Sequence, residues 1–241
     1  MKTIVCVLKS GVFKPWAEKE YTTGYEPRHV QWLRDQFAAQ MPVPHRFVCM
    51  SDLDIPGVEV IPLQDNLPGW WSKLEIFREF QSAAYVDLDT VVIGDVSPML
   101  FTGHDFLISA HMTRRHGVNS SIMSWNSDCR FIYDTFRAAP LRYMKEFTFS
   151  HKWGDQDFIN ETILARSKTP IAKFQHYFPK FALSYKYDIR DRGLPTKWSA
   201  RRRLRLDKNW LSEPHIVAFH GKPKPEAVQD DHIWIPKLCA V

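Results

Sequence analysis

The segment from Thr3 to Leu8, TIVCVL, is apolar and rich in β-branched residues, and it closes at Lys9-Ser10-Gly11. A run with so little polar character suits a strand covered on both faces, the position of a central strand in a parallel sheet packed between helices. The chain then repeats the theme. Glu26 to Gln40 carries Val30, Leu33, Phe37 and Ala38 at helical spacing, and Pro42 and Pro44 stop it. His45 to Met50 reads as a second strand, Val58 to Pro62 as a third, and Trp70 to Phe80 as a second helix. Ala83 to Asp87 is a further strand, followed by an extended piece from Thr90 to Ile93. Strands alternating with helices predict an α/β fold with a mainly parallel central sheet, and ligands of such sheets bind outside the carboxyl ends of the strands.

The second half is less regular. Leu107 to Ala110 and Ser121 to Ser124 read as strands, with Arg114 to Asn119 as a loop between them. Asp128 to Ala138 and Asp155 to Ala165 read as helices, with Asp155 as the N-cap of the latter. Residues 171 to 215 hold short elements and many aromatic residues without a clear period, and His215 to Phe219 is the last clear strand. No internal repeat or low-complexity linker divides the 241 residues, a length within the range of one domain.

Composition narrows the function classes. Cys6, Cys49, Cys129 and Cys239 form no CxxC pair, and the first two sit inside apolar runs; they read as small buried residues in a reducing compartment. No stretch approaches the ~18 apolar residues of a membrane span, and the Ile4 to Leu8 run is shorter than a signal-peptide core. The expectation is a soluble protein of the bacterial or phage-infected cytoplasm. Net charge is +5, and Lys197 to Lys208, KWSARRRLRLDK, gathers six basic residues against one acid. Such a segment attracts polyanions: nucleic acid, an anionic membrane surface or a diphosphate.

Two segments carry chemistry. In YVDLDTVV, residues 85 to 92, Asp87 and Asp89 directly follow an apolar strand. In extended chain, positions i and i+2 point to the same side, so both carboxylates can reach one hard divalent cation that also holds phosphate oxygens. In HIVAFHGKPKP, residues 215 to 225, a strand delivers His220, Gly221, Lys222 and Lys224. Glycine permits close backbone approach to a phosphate, lysine supplies a point charge, and imidazole can ligate a transition ion.

Together these motifs resemble the GT-A glycosyltransferases, most closely the retaining family that includes glycogenin and bacterial lipopolysaccharide galactosyltransferases. Four family features occur in order: Asp87-Leu88-Asp89, Asn119-Ser120-Ser121, Asp155-Gln156, and Gly221-Lys222-Pro223-Lys224-Pro225. The resemblance implies one GT-A domain over residues 1–241, with a nucleotide-binding half to about residue 110 and a donor-sugar and acceptor half beyond it. It implies Mn²⁺ or Mg²⁺ on Asp87, Asp89 and His220, and a nucleoside-diphosphate sugar as co-substrate. Donor contacts fall to Lys9, Asp52, Lys73, Asp87, Asn119, Ser120, Gly221, Lys222 and Lys224, and the reacting sugar faces Asp155 and Gln156. Two positions depart from the family pattern. The metal-binding histidine usually stands three residues before the glycine, where this chain has Ala218, and Ser121 replaces a usual glycine. His220, two residues on, keeps the same strand face as Ala218.

The implied reaction is sugar transfer to a hydroxyl, with a glycan or lipopolysaccharide sugar as acceptor. A second reading is glycosylation of hydroxymethylated DNA bases, for which Arg201, Arg202, Arg203 and Arg205 would grip the duplex. A third is a non-catalytic nucleotide-sugar-binding protein, against which stand the intact Asp-x-Asp and C-terminal lysines. A nucleotidyltransferase would call for a glycine-rich phosphate loop, and Lys9-Ser10-Gly11 is too sparse for one.

Overall fold

A computed structural model of the chain describes residues 2–13, 21–22, 24–114, 116–148, 152–190 and 216–238. Its first elements are β1 (Lys2–Leu8), a small hairpin of β2 (Val12–Phe13) and β3 (Tyr21–Thr22), α1 (Pro27–Gln40), β4 (His45–Ser51) and β5 (Glu59–Pro62). A 3-10 segment over Gly69–Glu75 leads into α2 (Ile76–Glu79), β6 (Ala83–Val86), β7 (Thr90–Val92) and α3 (Ser97–Leu100). Then come β8 (Phe106–Ala110), β9 (Val118–Trp125), α4 (Arg130–Ala138), α5 (Pro140–Thr148) and α6 (Asp155–Ser167). The last elements are β10 (Ala172–Lys173), α7 (Phe174–Tyr177), β11 (Ala182–Ser184), a π-type turn over Tyr185–Arg190, β12 (Ile216–Ala218) and a short 3-10 turn at Pro225–Ala227.

The central sheet has the order β10-β8-β9-β6-β1-β4-β5. β1 is flanked by β4 and β6, both parallel to it, and is the central strand that its sequence requires. Its side chains alternate between two cores. Ile4, Cys6 and Leu8 face Val30, Leu33 and Phe37 of α1, while Val5 joins Trp71, Leu74 and Phe77 on the other face. The departure from the expected parallel pattern is β9, which runs antiparallel to both β6 and β8. Its first residues therefore lie beside the carboxyl end of β6, and Asp87 N–H donates to Ser121 O at 2.8 Å. β9 begins at Val118, so Asn119 belongs to the strand and not to the preceding loop. A second sheet, β11-β12-β7, stands against α1 through Trp32 and brings the C-terminal segment to the Asp-x-Asp turn: Phe219 N–H donates to Asp89 O at 2.9 Å.

Three local expectations change. Trp70 to Phe80 is mostly 3-10 rather than one α-helix. In a 3-10 turn residues i and i+3 eclipse, so Trp71 and Leu74 enter the core together, while Trp70 and Lys73 both lean on the start of α6. Gly154, not Asp155, caps α6. Gly154 has φ +69°, and a Cβ there would stand 2.6 Å from Trp70 Nε1, so only glycine admits the indole. Finally, α5 is a helix that periodicity did not single out, with Pro140 at its first turn. Cys6, Cys49 and Cys129 are buried free thiols; Cys239 lies outside the described residues.

Candidate functional site

The parallel strands β1, β4 and β6 end on one side of the sheet, and their next residues carry the polar groups. After β1 and β4, Lys9 Nζ donates to Asp52 Oδ2 at 2.5 Å, and Ser10 N–H and Oγ–H reach the same carboxylate at 2.9 and 2.7 Å. Burial pushes the Asp52 carboxyl up, but these hydrogen bonds outweigh it and hold the pKa at about 2.

After β6, Asp87 enters a buried cluster. Lys73 Nζ lies 3.1 Å from Asp87 Oδ1 and 3.2 Å from Asp155 Oδ2. It also donates to Ser120 Oγ at 3.1 Å, and Ser120 Oγ–H donates to Asp155 at 2.6 Å. The Tyr85 hydroxyl donates to Asp87 Oδ1 at 2.5 Å, and the Lys73 ammonium sits 4.8 Å from the Tyr85 ring centre. Lys73 is 5% exposed. Burial alone would lower its pKa, yet the Asp155 and Asp87 carboxylates raise it, so the ammonium is charged. Burial raises Asp155 above the ordinary carboxylate range, with Lys73 and Ser120 opposing. Asp87 is also raised by burial, but Lys73, Tyr85 and Ser121 overcome it and leave the carboxyl lowered.

Asp89 forms a second, adjoining pair. Lys224 Nζ donates to Asp89 Oδ2 at 2.6 Å and also to the Tyr25 hydroxyl, over whose ring it lies at 4.9 Å. Burial raises the Asp89 carboxyl despite Lys224. Lys224, Lys222 and Arg190 line a cleft of about 550 Å³ with Pro223, Glu226 and Ala227. Gly221 is exposed, with φ +77° and no atom of the described residues within 4 Å of an added Cβ. Nearby, Asn119 Nδ2–H points to Gln156 Oε1 at 3.5 Å, and Asn119 Oδ1 accepts Ser121 N–H at 3.0 Å. Gln156 is 7% exposed, and its Nε2 has no hydrogen-bond partner among the described residues.

Expected residues thus meet in separate groups: Lys9 with Asp52, Lys73 with Asp87, Ser120 and Asp155, Lys224 with Asp89, and Asn119 with Gln156. His220 does not join Asp87 and Asp89: among the described residues no three His, Cys, Asp or Glu side chains gather around one point. β12 lies between β11 and β7, and His220 reaches toward β11, with Nε2 2.7 Å from Ser184 Oγ and its ring 5.2 Å from that of Tyr187. The donor set that remains is two carboxylates, each with one oxygen engaged by a lysine. Asp87 and Asp89 would be the residues to hold a divalent ion here, since carboxylate oxygens suit a hard cation. Arg201, Arg202, Arg203 and Arg205 lie outside the described residues.

Sequence reasoning missed Tyr25, Tyr85, Ser184 and Arg190. Tyr85 was within reach, because it stands two residues before Asp87 and shares its strand side. Tyr25, 199 residues from Lys224, carries no sequence signal of its role.

No protein-family profile and no curated protein matches this sequence. Solved structures do. The glycosyltransferase GlyE of Streptococcus pneumoniae TIGR4 superposes with a TM-score of 0.61 at 14% identity, over 93% of this chain and 55% of that one. The galactosyltransferase LgtC, solved with donor and acceptor sugar analogues, gives 0.56 at 11% identity, over 93% of this chain and 89% of that one. The bifunctional glycosyltransferase WbbM gives 0.55 at 12% identity, covering 46% of its length. The chain has the GT-A fold. It spans about half the length of GlyE, and nearly all of LgtC. Within the GT-A fold, the Asp87–Asp89 turn, the start of β9 and the start of α6 converge at the carboxyl side of the sheet. Among the described residues no helix is long and apolar enough to cross a membrane.

Proposed function

We propose that the chain transfers a sugar from a nucleoside-diphosphate sugar to a hydroxyl of a carbohydrate acceptor, with a divalent cation (Mn²⁺ or Mg²⁺) at Asp87 and Asp89 and with retention of anomeric configuration. The observation that carries this reading is the buried Lys73–Asp87–Ser120–Asp155 cluster beside the Asp89–Lys224 pair. Five segments of the chain meet there, at the ends of strands where nucleotides bind in such sheets. When bound, the cation supplies Lewis-acid stabilisation of the departing diphosphate.

The chain's own groups have separable tasks. Lys9, Ser10 and Asp52 lie where the nucleoside would sit, and the ionised Asp52 can accept from ribose or base donors. Lys222, Lys224 and Arg190 present three cations to one cleft and would offset the charge of the leaving diphosphate. Lys73 keeps Asp87 ionised and fixes the Asp155 carboxylate. The partnerless Gln156 Nε2 offers a buried donor whose desolvation a sugar oxygen would repay. An active-site mutant of LgtC in which a glutamine becomes glutamate has been solved, which supports an active-site place for a glutamine in this fold.

The test is a panel of nucleoside-diphosphate sugars scored for release of the nucleoside diphosphate, with Mn²⁺, with Mg²⁺ and with EDTA. Metal-stimulated release from at least one donor is expected. Gln156→Ala should slow release more than it weakens binding of the free nucleoside diphosphate. The anomeric configuration of the product, read by NMR coupling, checks retention. Binding without release from any donor would replace transfer by the non-catalytic reading.

A further inference from the structure

Trp153 is an exposed indole held in a frame of Asp157, Arg114 and His111. It is 55% exposed, although it lies two residues before the buried Asp155. The reversal at Gly154, with φ +69°, sends Trp153 outward and Asp155 inward. Single exposed apolar side chains are ordinary on protein surfaces, and Leu141 is another here at 67%. Trp153 differs in what is committed to holding it. Its backbone N–H donates to Asp157 Oδ2 at 3.0 Å. The same carboxylate takes both terminal nitrogens of Arg114, at 2.6 and 2.8 Å, a bidentate clamp. The clamped guanidinium lies 5.1 Å from the Trp153 ring centre, and the His111 ring meets the indole edge-on at 4.8 Å.

The frame is tied to the reacting groups on both sides. Arg114 and His111 lie in the loop between β8 and β9, and that loop delivers Asn119 and Ser120 to Gln156 and Asp155. His111 Nδ1 accepts the backbone N–H groups of Thr113 and Arg114, each at 3.0 Å, which fixes the loop. At Gly117 a Cβ would stand 2.9 Å from Arg114 Nε and from His111 Cβ, so glycine lets the loop close on its own arginine.

We infer that Trp153, backed by Arg114 and His111, is the platform on which the acceptor sugar stacks, and that the acceptor is therefore a carbohydrate presenting a face of ring C–H groups. This rests on the transfer reading above and names its acceptor class. A flat apolar ring with few rotatable bonds, already ordered before the ligand arrives, gives stacking area at low entropic cost. The polarity also matches: the exposed indole offers an apolar ring face, and a pyranose offers a face of C–H groups to lie against it. Asp157 serves as a positioning residue, acting through Arg114 and the Trp153 backbone.

The experiment has two arms. In the first, saturation-transfer NMR on the intact protein uses methyl β-galactoside, methyl α-glucoside and methyl α-mannoside as probes. Transfer to the ring protons of at least one glycoside is expected, lost in Trp153→Ala and kept in Trp153→Phe, with circular dichroism showing both variants folded. No signal from any glycoside, or an undiminished signal in Trp153→Ala, overturns the inference. In the second arm, with a competent donor, Trp153→Ala should raise the acceptor KM by about ten-fold or more with a much smaller change in donor KM. An acceptor KM within about two-fold of wild type, or transfer to duplex DNA carrying hydroxymethylated bases and to no glycoside, overturns it as well. If no donor is ever turned over but glycosides still bind through Trp153, the transfer reading fails alone.

Discussion

Replacing Lys73 by methionine tests whether the buried cluster is organised by its one ammonium group. Methionine matches the aliphatic stem and removes only the charge and its donors. Lys73 is 5% exposed and stands 3.1 Å from Asp87 and 3.2 Å from Asp155. Without it, two buried carboxylates lose their shared counter-charge, and breaking such a pair costs about 3–5 kcal/mol. In a chain of this size that lowers Tm by about 6–20 °C. The pH dependence gives the sharper signature. In the wild type, Lys73 is raised and Asp87 lowered. The stability from Lys73 is therefore full below its unfolded pKa of about 10.4, and that from Asp87 is full above its unfolded value of about 3.9. Both contributions are intact between about pH 4 and pH 10. In the variant the carboxylates lose their partner, so burial raises Asp155 further and turns the lowering of Asp87 into a rise. The folded state then binds more protons than the unfolded state, and stability recovers as pH falls toward about 4. The assay is urea unfolding followed by tryptophan fluorescence at pH 7.5 and pH 5, without ligand. A loss below about 1 kcal/mol, the range of an exposed ion pair, would refute the reasoning, and so would a loss independent of pH.

Asp87→Asn or Asp89→Asn should abolish Mn²⁺-stimulated binding of a nucleoside diphosphate, read by calorimetry, while the circular dichroism spectrum persists; retained stimulation in both would move the ion elsewhere. His220→Ala should weaken Mn²⁺-dependent nucleotide binding by less than about ten-fold, the smallest loss typical of removing a metal ligand's support, because the structure commits its Nε2 to Ser184. A larger loss, rescued by excess Mn²⁺, would return His220 to the metal. Asp52 has a depressed folded pKa of about 2, so its contribution is present above the unfolded value and lost as pH falls toward 2. Asp52→Asn should accordingly cost up to about 2 kcal/mol at pH 7 and only a few tenths of a kcal/mol at pH 2, measured by urea titration at both values; an equal loss at the two would assign the effect to packing.

The sequence alone determined the centre of this protein. TIVCVL has no polar face, so it had to be an interior strand, and Asp87 and Asp89 follow a strand so closely that their place at its carboxyl end was legible. Periodicity also delivered α1, because its inner face needs apolar residues at helical spacing, while β4 was legible as a short apolar run that ends buried. The order of the four motif segments was readable too, since order is a property of the chain. What the tertiary structure decided is whatever depends on pairing across the chain. The antiparallel direction of β9 is a matter of register and return path, and it puts Asn119 and Ser120, rather than the residues at its far end, beside Asp87. The 3-10 winding of Gly69–Glu75 answers to Asp155 and Gly154 some 80 residues later, not to local propensity. His220 turned to Ser184 because β11 chose one side of β12. Trp153 became an ordered exposed surface because Asp157, four residues on, and Arg114, from another loop, close around it. A one-dimensional pattern records burial and local capping; it does not record which distant charge a side chain will meet, and that meeting fixed the chemistry of the site.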